Sequence, residues 1–295
     1  MSPSISAVSD NTQVRARPTR GAKLGSVKTG LQYFILVFAV LVTVFPLLWM
    51  LSAAFKPLGE TLRWPPTFLP QEFRPQNYIE AWQAANFTRV LGNSLIVSSA
   101  ATVLSVGANA LAGYGFAKFE FPGRNVLFVL VLGTLMVPFQ VTMIPLFFIM
   151  RDLQLLNTYQ GLVLPHIADA FGVFLLRQFM QTIPNEMIEA ARIDGASELK
   201  IFWKVVLPLC VPALAVLAIF TFMWRWNEFL WPLIAVSSEE MWTVQLALAN
   251  FQKEYFVQWH YLMALTSVSI IPILALFLRF QRHFVAGITM TGMKG

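Results

Sequence analysis

Asp169 is the one carboxylate set deep inside a long apolar stretch of this sequence, and His166 stands three residues before it on the same helix face. An ionisable group in lipid is costly, which makes Asp169 a functional candidate. The two residues could contact a polar solute, or hydrogen-bond to each other and stabilise packing between helices; their types leave both readings open. A second cluster, Trp224, Arg225, Trp226, Asn227, Glu228 and Trp231, mixes aromatic faces with polar donors and acceptors, a combination suited to sugars. An aromatic belt at a lipid interface has the same composition, and Arg225 and Glu228, three apart, can pair with one another. Asn93 and Asn109 are further polar groups that could line a path or bond between helices. The candidate solute path is therefore Asn93, Asp169, Trp224, Trp226, Asn227 and Glu228.

Bond-making chemistry finds little support. His166, His260 and His283 are widely separated, and no ligand-spaced metal cluster is evident. Paired carboxylates and a His-Glu-x-x-His helix are absent, which argues against an enzyme embedded in the membrane. Cys210 is the single cysteine and lies in an apolar run, so it can form neither an internal disulfide nor a thiol metal site. The sequence has no Gly-x-x-x-x-Gly-Lys-Ser/Thr phosphate loop, so any ATP hydrolysis must come from another chain. No enzyme activity, metal or cofactor is expected on this chain.

The elements that position these residues are membrane helices. Of 295 residues, 57% are hydrophobic and 12% charged, far from the soluble average. Apolar runs of about 20 residues cover 33–55, 91–117, 125–150, 160–181, 205–232 and 261–281, each long enough to cross a bilayer. Helices rather than barrel strands follow from their length and uniform apolarity. The run 33–55 is longer than the core of a signal peptide and is kept as the first crossing. Prolines 46, 138, 145, 165, 208, 212 and 272 lie inside the runs, where kinks accommodated by neighbouring helices are expected. The small residues from Gly107 to Gly113 suit close helix contact.

The net charge of +6 is dispersed at the ends of the runs, which fits topology better than nucleic-acid binding. With the N-terminus inside, roughly 14 Lys and Arg fall inside and about 7 outside, so both termini are expected in the cytoplasm. Residues 1–30 read as a disordered basic tail and 31–90 as the first crossing with an outer loop. Residues 91–282 read as the core helical domain and 283–295 as a C-terminal tail. The loops 56–89 and 233–260 then face outward, either to meet an external partner or only to connect helices.

The most informative stretch, 183–208, is polar, helical and on the expected cytoplasmic side. Asn185 after Pro184 is read as an N-cap, with Glu186 and Glu189 early in the helix and Gly195 as its stop. A second short helix starts at Ser197 and Glu198, giving an elbow with Ile188 and Ala191 on one face. Such an elbow can dock into another protein's groove.

Glu189-Ala190-Ala191, Gly195 after three residues, Val205 after nine more, then Leu207-Pro208 together resemble the EAA loop of binding-protein-dependent ABC importer permeases. Val205 stands where that pattern usually has Ile and keeps its branched apolar character. The runs 174–179 and 226–232 and the ending 284–295 look like the carbohydrate branch, the relatives of the smaller maltose permease subunit. The resemblance covers nearly the whole chain from about residue 31. It implies an all-α type I ABC importer permease fold with six transmembrane helices in the cell inner membrane. It also implies a second permease subunit similar to the larger maltose one, two ABC ATPase subunits that hold ATP and magnesium, and an extracytoplasmic solute-binding protein. By the same resemblance Glu189, Ala190, Ala191, Asp194, Gly195, Leu207 and Pro208 form the ATPase-coupling loop, and residues 237–259 face the binding protein. A secondary solute transporter is the rival. Proton or sodium coupling predicts several buried carboxylates, which this sequence lacks.

Overall fold

The computed structural model describes the backbone of residues 20–254 and 258–292, and side chains of 29–250 and 258–281. The described residues are helical, without a strand. Helix α1 spans Arg20–Ala54, and short helices α2 (Leu58–Thr61) and α3 (Gln76–Ala84) follow. Then come α4 (Phe87–Lys118), α5 (Arg124–Gly133), α6 (Phe139–Asp152), α7 (Tyr159–Val163) and α8 (Ala170–Gln181). The elbow is α9 (Asn185–Ile193), α10 (Glu198–Ile201), a π turn at Phe202–Val206 and α11 (Leu207–Leu209). The chain closes with α12 (Val211–Trp226), α13 (Leu230–Ala235), α14 (Val244–Glu254), α15 (Trp259–Ser269) and α16 (Ile271–Gly292).

Three spans are continuous: Thr29–Ala54, Phe87–Lys118 and Trp259–Gln281. Three more are bent: Arg124–Met136 with Phe139–Asp152 by 101°, Tyr159–His166 with Ala170–Gln181 by 48°, and Glu198–Leu209 with Val211–Trp226 by 81°. Six crossings result when each bent pair counts as one. The breaks have local causes. Pro138 is extended and caps α6, Pro165 sits in the turn Leu164–His166, and Cys210 lies between Pro208 and Pro212. Pro46 and Pro145 leave their helices continuous, so proline alone does not mark a break.

The chain divides into two units, residues 1–49 and 50–295. The described part of the first is α1, which begins at Arg20, so the expected disordered tail does not extend to residue 30. Once an apolar segment has nucleated a helix, extension through formers such as Ala22, Lys23 and Leu24 is cheap. Residues 1–19 of that tail lie outside the described residues. At the other end α16 continues to Gly292, so most of 283–295 is helical; residues 293–295 lie outside the description.

In the second unit, α4 is the central helix, packed chiefly on α8 and α12. The sequence explains why it can be central: Ser94, Ser98, Thr102, Ser105, Asn109 and Gly113 recur at helical spacing and are all buried. Small side chains let backbones approach, which favours association in lipid. The expected contact region 107–113 is only partly so used, since Gly107 is exposed while Ala110 and Gly113 are buried. The segments between crossings are structured. Asn77 donates to the carbonyls of Ala54 (2.8 Å) and Lys56 (2.9 Å), and Asn93 donates to Glu240 O (2.8 Å) and Trp242 O (2.9 Å). Arg89 and Glu240 approach to 3.2 Å.

Candidate functional site

The elbow is built on buried apolar residues. Ile188, on the inner face of α9, is 2% exposed and packs with Tyr114, Leu176, Met180, Ile201 and Phe202. Its outer face leaves Glu186, Met187, Glu189, Ala190 and Ile193 exposed. Gly195 ends the first arm with φ +77°, a left-handed conformation that L side chains rarely adopt, and its N–H donates to Arg192 O at 3.0 Å. Ser197 is extended and precedes α10, as the sequence indicates. Asn185 is not the cap expected of it: it is the first helical residue, and its Oδ1 accepts from Lys118 Nζ at 2.8 Å. Pro184 takes the cap position, where its missing N–H costs nothing.

The candidate coupling residues lie along this elbow. Glu189, Ala190, Asp194 and Gly195 are exposed, Ala191 is half-buried against the core, Leu207 is half-buried and Pro208 exposed. Beside them opens a cleft of about 470 Å³, lined by Lys118, Glu120, Asn185, Ile188, Glu189 and Arg192, with both charge signs and an apolar floor. Exposed Met187, Ile193 and Leu199 beside Glu186 and Glu189 make a mixed apolar and acidic face suited to a protein partner.

Deeper in the bundle, two of the breaks approach the loop that follows α12. His166 lies at the second break and Glu228 just beyond the C-terminal end of α12, with His166 Nε2 at 3.6 Å from Glu228 Oε2. That separation is too long for a hydrogen bond, and the imidazole nitrogen has no other partner in the described residues. Glu228 is held instead by Arg225, the i,i+3 pairing expected from sequence. Phe139, next to the break at Pro138, has its ring 6.2 Å from His166 and 6.4 Å from Trp231.

Asp169 does not bond to His166, although such a bond is one of the two readings open to the pair. The bend separates them, and Asp169 caps α8 by accepting from Gly172 N at 2.8 Å. Its other oxygen accepts from Asn109 Nδ2 (3.0 Å) and Ser105 Oγ (3.2 Å), so α4 and α8 are joined at this point. Gly172 is required by this arrangement, because a Cβ there would run into the Asn109 amide.

Residues 109–290 match the family described as binding-protein-dependent transport system inner membrane component. The chain belongs to this family. Relatives extend the match over nearly the whole permease. An arabinooligosaccharides transport system permease protein of Halalkalibacterium halodurans is 41% identical over 261 residues, covering 88% of this chain and 94% of the relative. An sn-glycerol-3-phosphate transport system permease protein of Yersinia enterocolitica is 36% identical, covering 88% and 97%. A diacetylchitobiose uptake system permease protein of Streptomyces coelicolor is 34% identical, covering 88% and 87%. The fold is that of a chain in a bacterial ABC transporter that imports the acidic polysaccharide alginate, with TM-score 0.78, 24% identity and coverage of 91% and 99%. A chain from a bacterial alginate ABC transporter complexed with its pentasaccharide-bound periplasmic protein superposes with TM-score 0.61, at 13% identity and coverage of 88% and 96%.

The type I permease fold brings only some of the candidate path residues together. Glu228 pairs with Arg225 and lies near His166, two residues outside the candidate path. Trp224 is exposed and stacks on Phe220 at 5.9 Å, while Asn227 is exposed and donates to Met223 O at 2.8 Å. Asn93 ties α4 to residues 240–242 and accepts from Tyr159 OH at 2.7 Å, a bond between elements. Trp226 faces the core, 1% exposed, with its indole N–H on Ser269 O at 3.1 Å; two residues beyond Trp224, it points to a different side of the helix. Sequence reasoning missed Tyr114, Lys118 and Glu198, all bonded at the elbow. The available signal was Tyr114 and Lys118, four apart, at the polar end of a crossing.

Proposed function

We propose that this permease is one of two transmembrane subunits of an importer that carries a carbohydrate, whether sugar, oligosaccharide or glycerol phosphate, into the cytoplasm. The elbow carries this reading: a rigid two-arm projection with an exposed apolar and acidic face and a cleft beside it. Full-length relatives whose names include arabinooligosaccharides, sn-glycerol-3-phosphate and diacetylchitobiose support the substrate class.

In this reading the elbow faces the cytoplasm, as do both termini, and docks on one of two ABC ATPase subunits, which hold ATP and magnesium. A second permease subunit completes the path and an extracytoplasmic binding protein delivers the solute. This chain itself carries out no hydrolysis. Glu189, Ala190, Ala191, Asp194 and Gly195 form the docking arm, and Leu207 and Pro208 lead from it into α12. ATPase closure displaces the elbow, and the packed helices rock between inward-open and outward-open arrangements. The breaks beside His166 and Phe139 are the joints at which these helices flex, and Glu228, Asn227, Trp224 and Asp169 stand along the solute's route.

Purification from the native membrane in mild detergent tests this directly. Co-purifying chains are identified by mass spectrometry, and vanadate-sensitive ATP hydrolysis is recorded on the same sample. A stoichiometric ATPase and a second permease-like chain are expected. Transport by the lone chain without an ATPase would overturn the reading in favour of a secondary transporter.

A further inference from the structure

The elbow is joined covalently to α8 before it and α12 after it, yet polar anchors also tie it to a third helix, α4. Lys118 Nζ, in the last turn of α4, donates to Ile183 O at 2.6 Å and to Asn185 Oδ1 at 2.8 Å, where the first arm begins. Tyr114 OH, one turn earlier on α4, donates to Glu198 Oε2 at 3.0 Å, where the second arm begins. Glu198 Oε1 in turn accepts from Arg192 Nε at 2.6 Å, in the last turn of the first arm. Both arms are thus attached to α4, and Glu198 bridges the turn at Gly195. The Tyr114 ring is 5% exposed, with ring centroids of Phe119 and Phe202 each 5.3 Å away, so its hydroxyl has a fixed position.

We infer that the end of α4 receives the elbow's movement, with Tyr114 and Lys118 as the positioning residues that transmit it. The inference rests on the coupling role proposed above and adds the route. Bonds to a charged partner, as at Lys118 and Glu198, are stronger than neutral ones and hold under displacement. Because α4 packs chiefly on α8 and α12 and holds Asp169 through Asn109, moving its elbow end shifts the centre of the bundle. Without these attachments the elbow would reach α4 only through the apolar packing of Ile188 and Phe202 around the Tyr114 ring, which carries no directional bond, and would otherwise pull on its own two chain neighbours.

The test uses the assembled complex in lipid nanodiscs, with spin labels on V103C in α4 and L278C in α16. Both positions are exposed, at 71% and 62%, while Cys210 is 0% exposed and shielded from the label. Distance distributions are recorded without nucleotide and after trapping with ATP and orthovanadate, with ATP hydrolysis and bound ATPase measured on the same samples. The labelled parent is expected to shift on trapping. Adding Y114F and K118M, which preserve the ring and much of the stem, is expected to remove at least half of that shift while the ATPase stays bound and active. K118R, which keeps a cationic donor, is expected to retain it. A parental shift in the Y114F K118M variant overturns the inference. So does loss of ATPase from that variant, which would make these residues docking anchors, or a parent that hydrolyses ATP without any shift. A wild-type complex without any ATPase would instead sink the importer reading.

Discussion

Asn109 and Asp169 hold each other twice: Asn109 Nδ2 donates to Asp169 Oδ2 at 3.0 Å, and Asn109 Oδ1 accepts from Asp169 N at 3.2 Å. The contact joins α4 to the N-cap residue of α8 at the second break. It also gives the intramembrane carboxylate a structural task, since its other oxygen caps α8. Anions are favoured at a helix N-terminus, which offsets part of the cost of placing one in lipid.

Asp169→Asn retains a capping oxygen, and Asn ranks with Asp as an N-cap, while the amide that replaces its other oxygen meets Ser105 Oγ, which can turn to accept. Transport by D169N in proteoliposomes is therefore expected within about two-fold of wild type, whereas D169L loses about 1–3 kcal/mol of stability from the unpaired partners. Thermal unfolding followed by size-exclusion chromatography measures the second effect. A D169N protein with unchanged Tm but no transport would show that the charge itself acts on the solute.

Gly172→Ala drives a methyl group into the Asn109 amide. Overpacking of this kind costs about 1–3 kcal/mol. A lowered Tm is expected for G172A, and a smaller loss when the same substitution is made in an N109S background, which already lacks both bonds to Asp169 and leaves room for the methyl group. An equal loss in both backgrounds would mean that the strain is relieved elsewhere.

At Gly195 no neighbour obstructs a side chain, so the backbone conformation alone sets the penalty. Leu there costs about 1–2 kcal/mol in the left-handed region, and Asn substantially less. G195L is expected to weaken ATPase retention and transport several-fold, and G195N to recover much of both. Unchanged assembly and transport in G195L would remove the elbow from the coupling mechanism.

Glu60 provides a pH response away from the crossings. Burial raises its pKa, but hydrogen bonds from the Thr67 hydroxyl and the N–H groups of Gln71 and Glu72, with Lys56 nearby, leave it below the usual 4.5. The folded form thus binds its proton less readily than the unfolded chain. Its stabilisation is fully present above about pH 4.5 and is lost as pH falls through the lower folded value. Hydrogen exchange in residues 58–72 is expected to accelerate over that acidic window in wild type, and to be faster already at pH 7 in E60A. A wild-type protection pattern flat down to pH 3 would contradict this.

Hydropathy alone located the crossings, because lipid requires about 20 apolar residues per helix and few sequences meet that requirement otherwise. It could not distinguish a straight crossing from one bent by 101°, since an apolar run looks the same in both. The elbow was legible for a different reason: Gly195 and the polar residues around it have local backbone requirements. Asn185 was misread because proximity to Lys118, 67 residues earlier, outweighs local capping preference. The approach of His166 to Glu228 is likewise invisible in one dimension, because it arises where a break in one crossing meets the loop after another. Trp226 carried no sign of its inward direction within a helix that is apolar on nearly every side.

The π turn at Phe202–Val206 holds one more residue per turn than the α-helical segments on either side. The interval between Gly195 and Leu207-Pro208 therefore acts as a measure of length as well as a surface. Deleting one residue from it would convert the wide turn to ordinary α geometry and rotate the arm by about 100° relative to α12. Natural variation in 196–206 should accordingly exchange one residue for another while keeping their number constant.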